Sequence, residues 1–124
     1  EFGNRRQIFA TPDAPWALWF AILNRERLTR THNICLRVGP RRGAWTKGYY
    51  FHLTRDLTPQ TAFAPGVVYL CRAADFPHRH RLPLDALLQL EFEEWGSERP
   101  VRPLAWIPVV PEDFPYLDAV EFIL

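Results

Sequence analysis

The chain contains no methionine, one serine, one lysine and two cysteines among its 124 residues. The lone Ser97 follows Gly96 but sits outside any nucleophile-elbow pattern, which leaves little basis for serine catalysis. Cys35 and Cys71 each lie in an apolar, β-like segment and read as small buried hydrophobes. A disulfide is possible but a chain of this size does not need one, so a reducing compartment and a cytoplasmic location are the expectation. No apolar run approaches the roughly eighteen residues that cross a bilayer. The most apolar stretch, Ala14 to Leu23, is flanked by Asp13 and Arg25. The first residues lack the basic-then-apolar layout of a signal peptide. Glu1-Phe2-Gly3 and the missing methionine suggest a chain trimmed at its N-terminus. A glycine-rich phosphate loop is also absent, because Gly39 and Gly43 flank a hairpin tip with no helix behind it.

Core material, by contrast, is plentiful. Hydrophobic residues make up 48% of the chain, with five Trp, nine Phe and four Tyr, enough for one domain spanning residues 1–124. Twelve prolines divide it into short elements, which argues against a helical bundle. Ile8-Phe9-Ala10 reads as a short buried strand. Thr11-Pro12-Asp13 then reads as a helix start, with Thr11 as the cap, and the helix runs from about Pro12 to Asn24. That helix is apolar on nearly every face and should be packed on more than one side. Residues 33–53 read as a hairpin with a basic tip at Pro40-Arg41-Arg42-Gly43. Further strands are expected at Val67 to Arg72, in the second half of Leu87 to Trp95, and at Leu104 to Val110. There Pro108 suits an edge or a bulge. Pro77 to Pro83 reads as irregular. The expected class is α+β: a small, mostly antiparallel sheet with one buried N-terminal helix.

The formal net charge of +1 hides a split. Residues 1–55 hold ten cations against three acids, and residues 56–124 hold five against eleven. Interleaving of the two halves would neutralise both, and this is the plainer reading. The sharper one is a basic surface. Arg37, Arg41, Arg42 and Lys47 alternate with Trp45, Tyr49 and Tyr50, and cations beside aromatic faces are what a single-stranded nucleic acid requires. His78 and His80 supply one pair of imidazoles, short of the three or four ligands that zinc takes. In the acidic run Glu91-Phe92-Glu93-Glu94, strand alternation groups Glu94 with Leu88, Leu90 and Phe92 on the expected inner face. A carboxylate there must be partnered or must line a cleft.

Two segments resemble the ADP-ribosyltransferase fold of poly(ADP-ribose) polymerases and rifampin ADP-ribosyltransferases. The first is Gln7-Ile8-Phe9-Ala10-Thr11-Pro12-Asp13 with the helix through Ala21. It is similar to the family's strand and small-residue helix, against which the nicotinamide ring stacks. The second is Glu94-Trp95-Gly96-Ser97 with the strand Leu104 to Val109, similar to the strand that carries the catalytic Glu. Gly66-Val67-Val68-Tyr69-Leu70 through Phe76 looks like the family's central strand. The resemblance implies NAD as substrate and a toxin-like transfer of ADP-ribose to a macromolecule or small molecule. It implies Glu94 as catalytic carboxylate, with Phe9, Thr11, and Trp19 or Phe20 around the nicotinamide. The family's initial Tyr-His-Gly strand has no counterpart before Phe9. It either lies upstream of Glu1, or the domain is degenerate or unrelated. The alternative from a different class is a non-enzymatic nucleic-acid-binding module using the 33–53 hairpin.

Overall fold

A computed structural model describes residues 6–40, 43–84 and 87–124. It is an α+β arrangement dominated by sheet. Strand β1 (Ile8–Ala10) leads into helix α1 (Ala14–Ile22). The hairpin follows as β2 (Thr31–Pro40) and β3 (Thr46–Leu53). After a single-turn helix α2 (Pro59–Ala62) come β4 (Gly66–Leu70), β5 (His78–Pro83), β6 (Leu88–Ser97), β7 (Ala105–Val109) and β8 (Glu121–Phe122).

The main sheet runs β1-β6-β2-β3-β8, with β5 added on β6. Every pairing in it is antiparallel except β3 with β8. Strand β6 is the hub. Its first half lies between β2 and β5, with Arg37 and Arg81 both opposite Glu91. Its second half lies between β1 and β5, with Phe9 and His78 both opposite Gly96. The β5 ladder jumps from Phe92 to Trp95 between adjacent β5 residues, so Glu93 and Glu94 form a bulge. Strands β4 and β7 form a separate two-stranded ribbon in which Pro108 faces Val67. In such a ribbon β7 is an edge strand, the kind of position to which prolines within sheets are confined.

The helix begins two residues later than the Thr-Pro-Asp pattern suggests. Asp13 is the cap, its carboxylate accepting from the Trp16 amide at 2.7 Å, and Pro15 occupies the first turn. Thr11 instead accepts from the Asp13 amide at 3.0 Å, shaping the turn that leads in. The helix ends at Ile22, where Ala64 donates to the Ile22 carbonyl and Leu23 bridges to Phe63. Arg25, Arg27 and Arg30 therefore lie beyond it.

Packing on more than one side is what the structure shows. Trp16, Trp19 and Ile22 are buried at helical spacing, and Trp16 and Trp19 contact Phe51 of β3. Phe63 and Phe114 close over Trp19. On another side α1 meets the β4–β7 ribbon, where Gly66 lies against the Ala21 carbonyl. Two expectations are overturned. Pro77 to Pro83 is mostly strand, recruited by the long free edge of β6. Residues Ile8–Ala10 form a strand that is not buried: Ile8 and Phe9 are about half exposed, because among the described residues β1 pairs only with β6.

The contact at Gly66 yields a test. A Cβ there would collide with the Ala21 carbonyl oxygen, a backbone atom that cannot swing aside. Gly66→Ala should cost about 1–3 kcal/mol through forced separation of the ribbon from α1. Urea unfolding should show the loss, whereas Gly48→Ala, where a Cβ meets nothing, should stay within about 0.5–1 kcal/mol.

Candidate active site and the charged network beside it

The inner face of the sheet carries apolar residues under the middle and end of α1 and ions under its start. One rung crosses four strands as Arg81, Glu91, Arg37 and Lys47. Arg81 Nε lies 3.0 Å from one Glu91 oxygen and Arg37 Nη2 lies 3.2 Å from the other. Arg37 Nε is 2.9 Å from Glu93 Oε1 without hydrogen-bond alignment, so that contact is coulombic. Lys47 donates to Asp13 Oδ2 at 2.6 Å and stands 3.9 Å from Glu93 Oε2. The Tyr49 hydroxyl donates to the same Asp13 oxygen at 2.6 Å. Asp13, Glu91 and Glu93 are 5%, 3% and 3% exposed, so these pairs are shielded on the carboxylate side.

The charged forms respond to this setting in different directions. Burial would raise the Asp13 carboxyl, but the hydrogen bonds from Lys47, Tyr49 and the Trp16 amide, with the Lys47 charge, hold it below the usual range. Burial raises Glu93, and the Lys47 and Arg37 charges do not fully offset it. Burial also pushes the Cys35 thiol to about 12, with the Asp13 charge adding to the effect, so Cys35 is a protonated core residue at neutral pH.

Glu91 and Glu93 are thus the carboxylates held by the ion pairs of the inner face. The alternation that grouped Glu94 with Leu88, Leu90 and Phe92 has the face reversed: Leu88 is 38% exposed, and Phe92 stacks on His80. Glu94 stands apart from the ion pairs. It occupies the bulge and is half-buried. Burial raises its carboxyl, while the Trp16 indole and the His80 ring favour its charged form and only partly compensate.

Gly96, two residues after Glu94, pairs with Phe9, so the first expected ring-stacking aromatic and the expected catalytic carboxylate sit on adjoining strands. Immediately beyond, a groove of about 560 Å³ is lined by Ser97, His78, Arg72, Arg99 and Arg102 together with the acids Asp75 and Glu98, while Phe9 and Glu94 lie outside its lining. The other expected aromatics are elsewhere. Trp19 is completely buried, and Phe20 lines a different cavity of about 230 Å³ with Leu23, Arg25 and Leu28. Thr11 serves the turn before α1.

Of the hairpin residues, Arg37 and Lys47 are committed to carboxylates, Trp45 lies under the Arg37 guanidinium at 5.0 Å, and Tyr49 is bonded to Asp13. Arg41 and Arg42 lie outside the described residues. Among the described residues, no three His, Cys, Asp or Glu side chains converge as they stand on a metal position. No described helix is long and apolar enough to cross a membrane. Sequence reasoning missed the roles of Asp13, Glu91 and Arg81. The available signal was charge complementarity: acids at 91 and 93 facing cations at 37 and 81 across paired strands.

Asp13→Asn should lose about 1–3 kcal/mol at neutral pH, since it keeps a capping oxygen but leaves the partly exposed Lys47 only its longer contact with Glu93. The sign of the pH dependence follows from the lowered carboxyl. Its contribution is present above the ordinary aspartate value of 3.8 and disappears as pH falls through the lower folded value. Denaturant titrations from pH 7 to 2 should therefore show a steep acid limb in the unmodified chain and a shallower one in the variant. No protein-family model, curated protein or solved structure matches this chain.

Proposed function

We propose that this domain binds NAD and transfers its ADP-ribose group in the manner of an ADP-ribosyltransferase, with Glu94 as the catalytic carboxylate. The observation that carries the reading is the pairing of β1 with the second half of β6. It sets the half-exposed Phe9 opposite Gly96, two residues from Glu94, and opens onto the groove bearing Arg72, Arg99 and Arg102.

The chemistry asks for three things that this junction can supply. Phe9 offers an apolar ring for the nicotinamide. Arg99 and Arg102 offer positive charge for the diphosphate, and His78 offers a ring N–H as hydrogen-bond donor. Glu94 offers a negative charge where the ribose carbon becomes cationic. In the reaction, the bond between ribose C1′ and the nicotinamide nitrogen breaks and its electron pair leaves with nicotinamide. The resulting oxocarbenium-like carbon is stabilised by the carboxylate and then captured by a nucleophile from the acceptor, whose proton passes to solvent. Phe20 and Trp19 have no part in this arrangement, since Trp19 is completely buried and Phe20 lines the other cavity. The nucleic-acid reading draws less support, because Arg37 and Lys47 already face carboxylates.

Nicotinamide release from NAD should be measured on this chain and on its Glu94→Gln variant. Glu94→Gln should lower kcat about 100-fold or more with little change in KM, because the charge acts mainly in the transition state. Glu112→Gln, in an exposed turn, should be unaffected. The rate should rise with pH through the raised Glu94 value, since only the ionised carboxylate stabilises the cation. Retained activity in Glu94→Gln, or no NAD binding by the unmodified protein, rejects the proposal.

A further inference from the structure

Three neighbouring strands of the main sheet carry His32, His52 and Glu121 on a single rung. These residues project from the outer face of the sheet. Along β2 and β3 the buried residues are Cys35, Phe51 and Leu53, so His32 and His52 point the other way. Glu121 shares the face of His52 because residues paired across strands do, and it is exposed.

The two imidazoles are already close. Their Nδ1 atoms are 3.5 Å apart and their ring centroids 5.6 Å apart. Two imidazole nitrogens bound to one tetrahedral zinc at 2.0–2.1 Å stand about 3.3–3.4 Å from each other. The contact between the two Nδ1 atoms is a hydrogen bond in this structure, so sharing an ion takes a turn of the rings that aims both lone pairs at one point, with little change in the distance between the nitrogens. Directly opposed residues on paired strands have Cβ atoms about 5 Å apart, so a change of rotamer brings the Glu121 carboxylate to the same point. Two imidazoles and one carboxylate form a donor set suited to zinc and its neighbours and unsuited to magnesium or calcium.

We propose that His32, His52 and Glu121 form a binding site for one divalent cation of the zinc type, with water completing the coordination. The site has a mechanical consequence. Strand β8 is two residues long, and the chain after it is held by the Leu53 carbonyl, which accepts from Ile123 and Leu124, and by Arg55, whose amide and Nε donate to the Leu124 and Ile123 carbonyls. An ion held by β2, β3 and β8 together pins that end of the chain, so binding stabilises the fold by linkage.

The probe is zinc chloride added to chelator-treated protein and followed by titration calorimetry. One saturable site per chain is expected, together with a rise in Tm. His32→Gln and His52→Gln should each weaken binding roughly tenfold or more, and Glu121→Gln by a smaller factor. All three replace outward side chains, and circular dichroism checks the fold of each. In the unmodified protein, zinc should shift the ring proton resonances of His32 and His52 and leave those of His78 and His80 in place. Magnesium should produce neither effect. The proposal is overturned if no binding saturates by millimolar zinc, if binding survives both histidine changes, or if His78 and His80 respond instead.

Discussion

The Asp13 carboxylate joins the helix to the sheet. One oxygen caps α1 through the Trp16 amide, and the other accepts from Lys47 and Tyr49 on β3. A single side chain thus satisfies an orphan helix donor, neutralises a cation and fixes where α1 begins. Because Lys47 also reaches toward Glu93, the connection extends to β6, the strand on which β1, β2 and β5 all assemble. With the N-terminus of α1 fixed there, Trp16 and Trp19 are set down on Phe51, and the aromatic core follows.

This ionic region and the apolar core divide the inner face between them. Taking Glu91 and Glu93 out of water is costly, and the gain from their partners depends on good geometry. Each Glu91 oxygen has its own cation, whereas Glu93 meets two cations at poorer alignment or longer range. That difference agrees with the carboxyl of Glu93 being raised. Ion pairs across strands add little attraction beyond their desolvation cost, but they discriminate strongly between registers. A shift of β6 by one residue would leave buried carboxylates without partners. The same ladder leaves the bulge at Glu93 and Glu94 as the place where β6 passes from β2 to β1. Glu94 is thereby separated from the paired acids and turned toward Trp16 and His80.

The elements with strong local patterns were legible in the sequence. Ile8-Phe9-Ala10, the 33–53 hairpin and the strands near 67–72 and 104–110 lie where alternation and turn residues put them. The helix was legible, but its cap was assigned by local preference to Thr11, when Asp13 wins through contacts made by residues more than thirty positions away. Residues 78–83 were not legible, because His-Arg-His-Arg-Leu-Pro has no apolar alternation. They become a strand by pairing with β6. For the candidate site, the choice of Glu94 survives as a half-buried carboxylate beside the Phe9 strand, although the face argument behind it does not. Trp19 was unreadable as core or site, because an aromatic at helical spacing looks the same in either role.

The sequence by itself determined the α+β class, the position of the buried helix and the hairpin, since these follow from apolar periodicity and turn chemistry within a few residues. Tertiary structure alone decided which face of β6 points inward, which cations are neutralised, and that His32, His52 and Glu121 share a rung. The physical reason is that charge pairing and strand register depend on residues distant in the chain. A carboxylate reads as exposed until the strands that carry its partners are laid beside it.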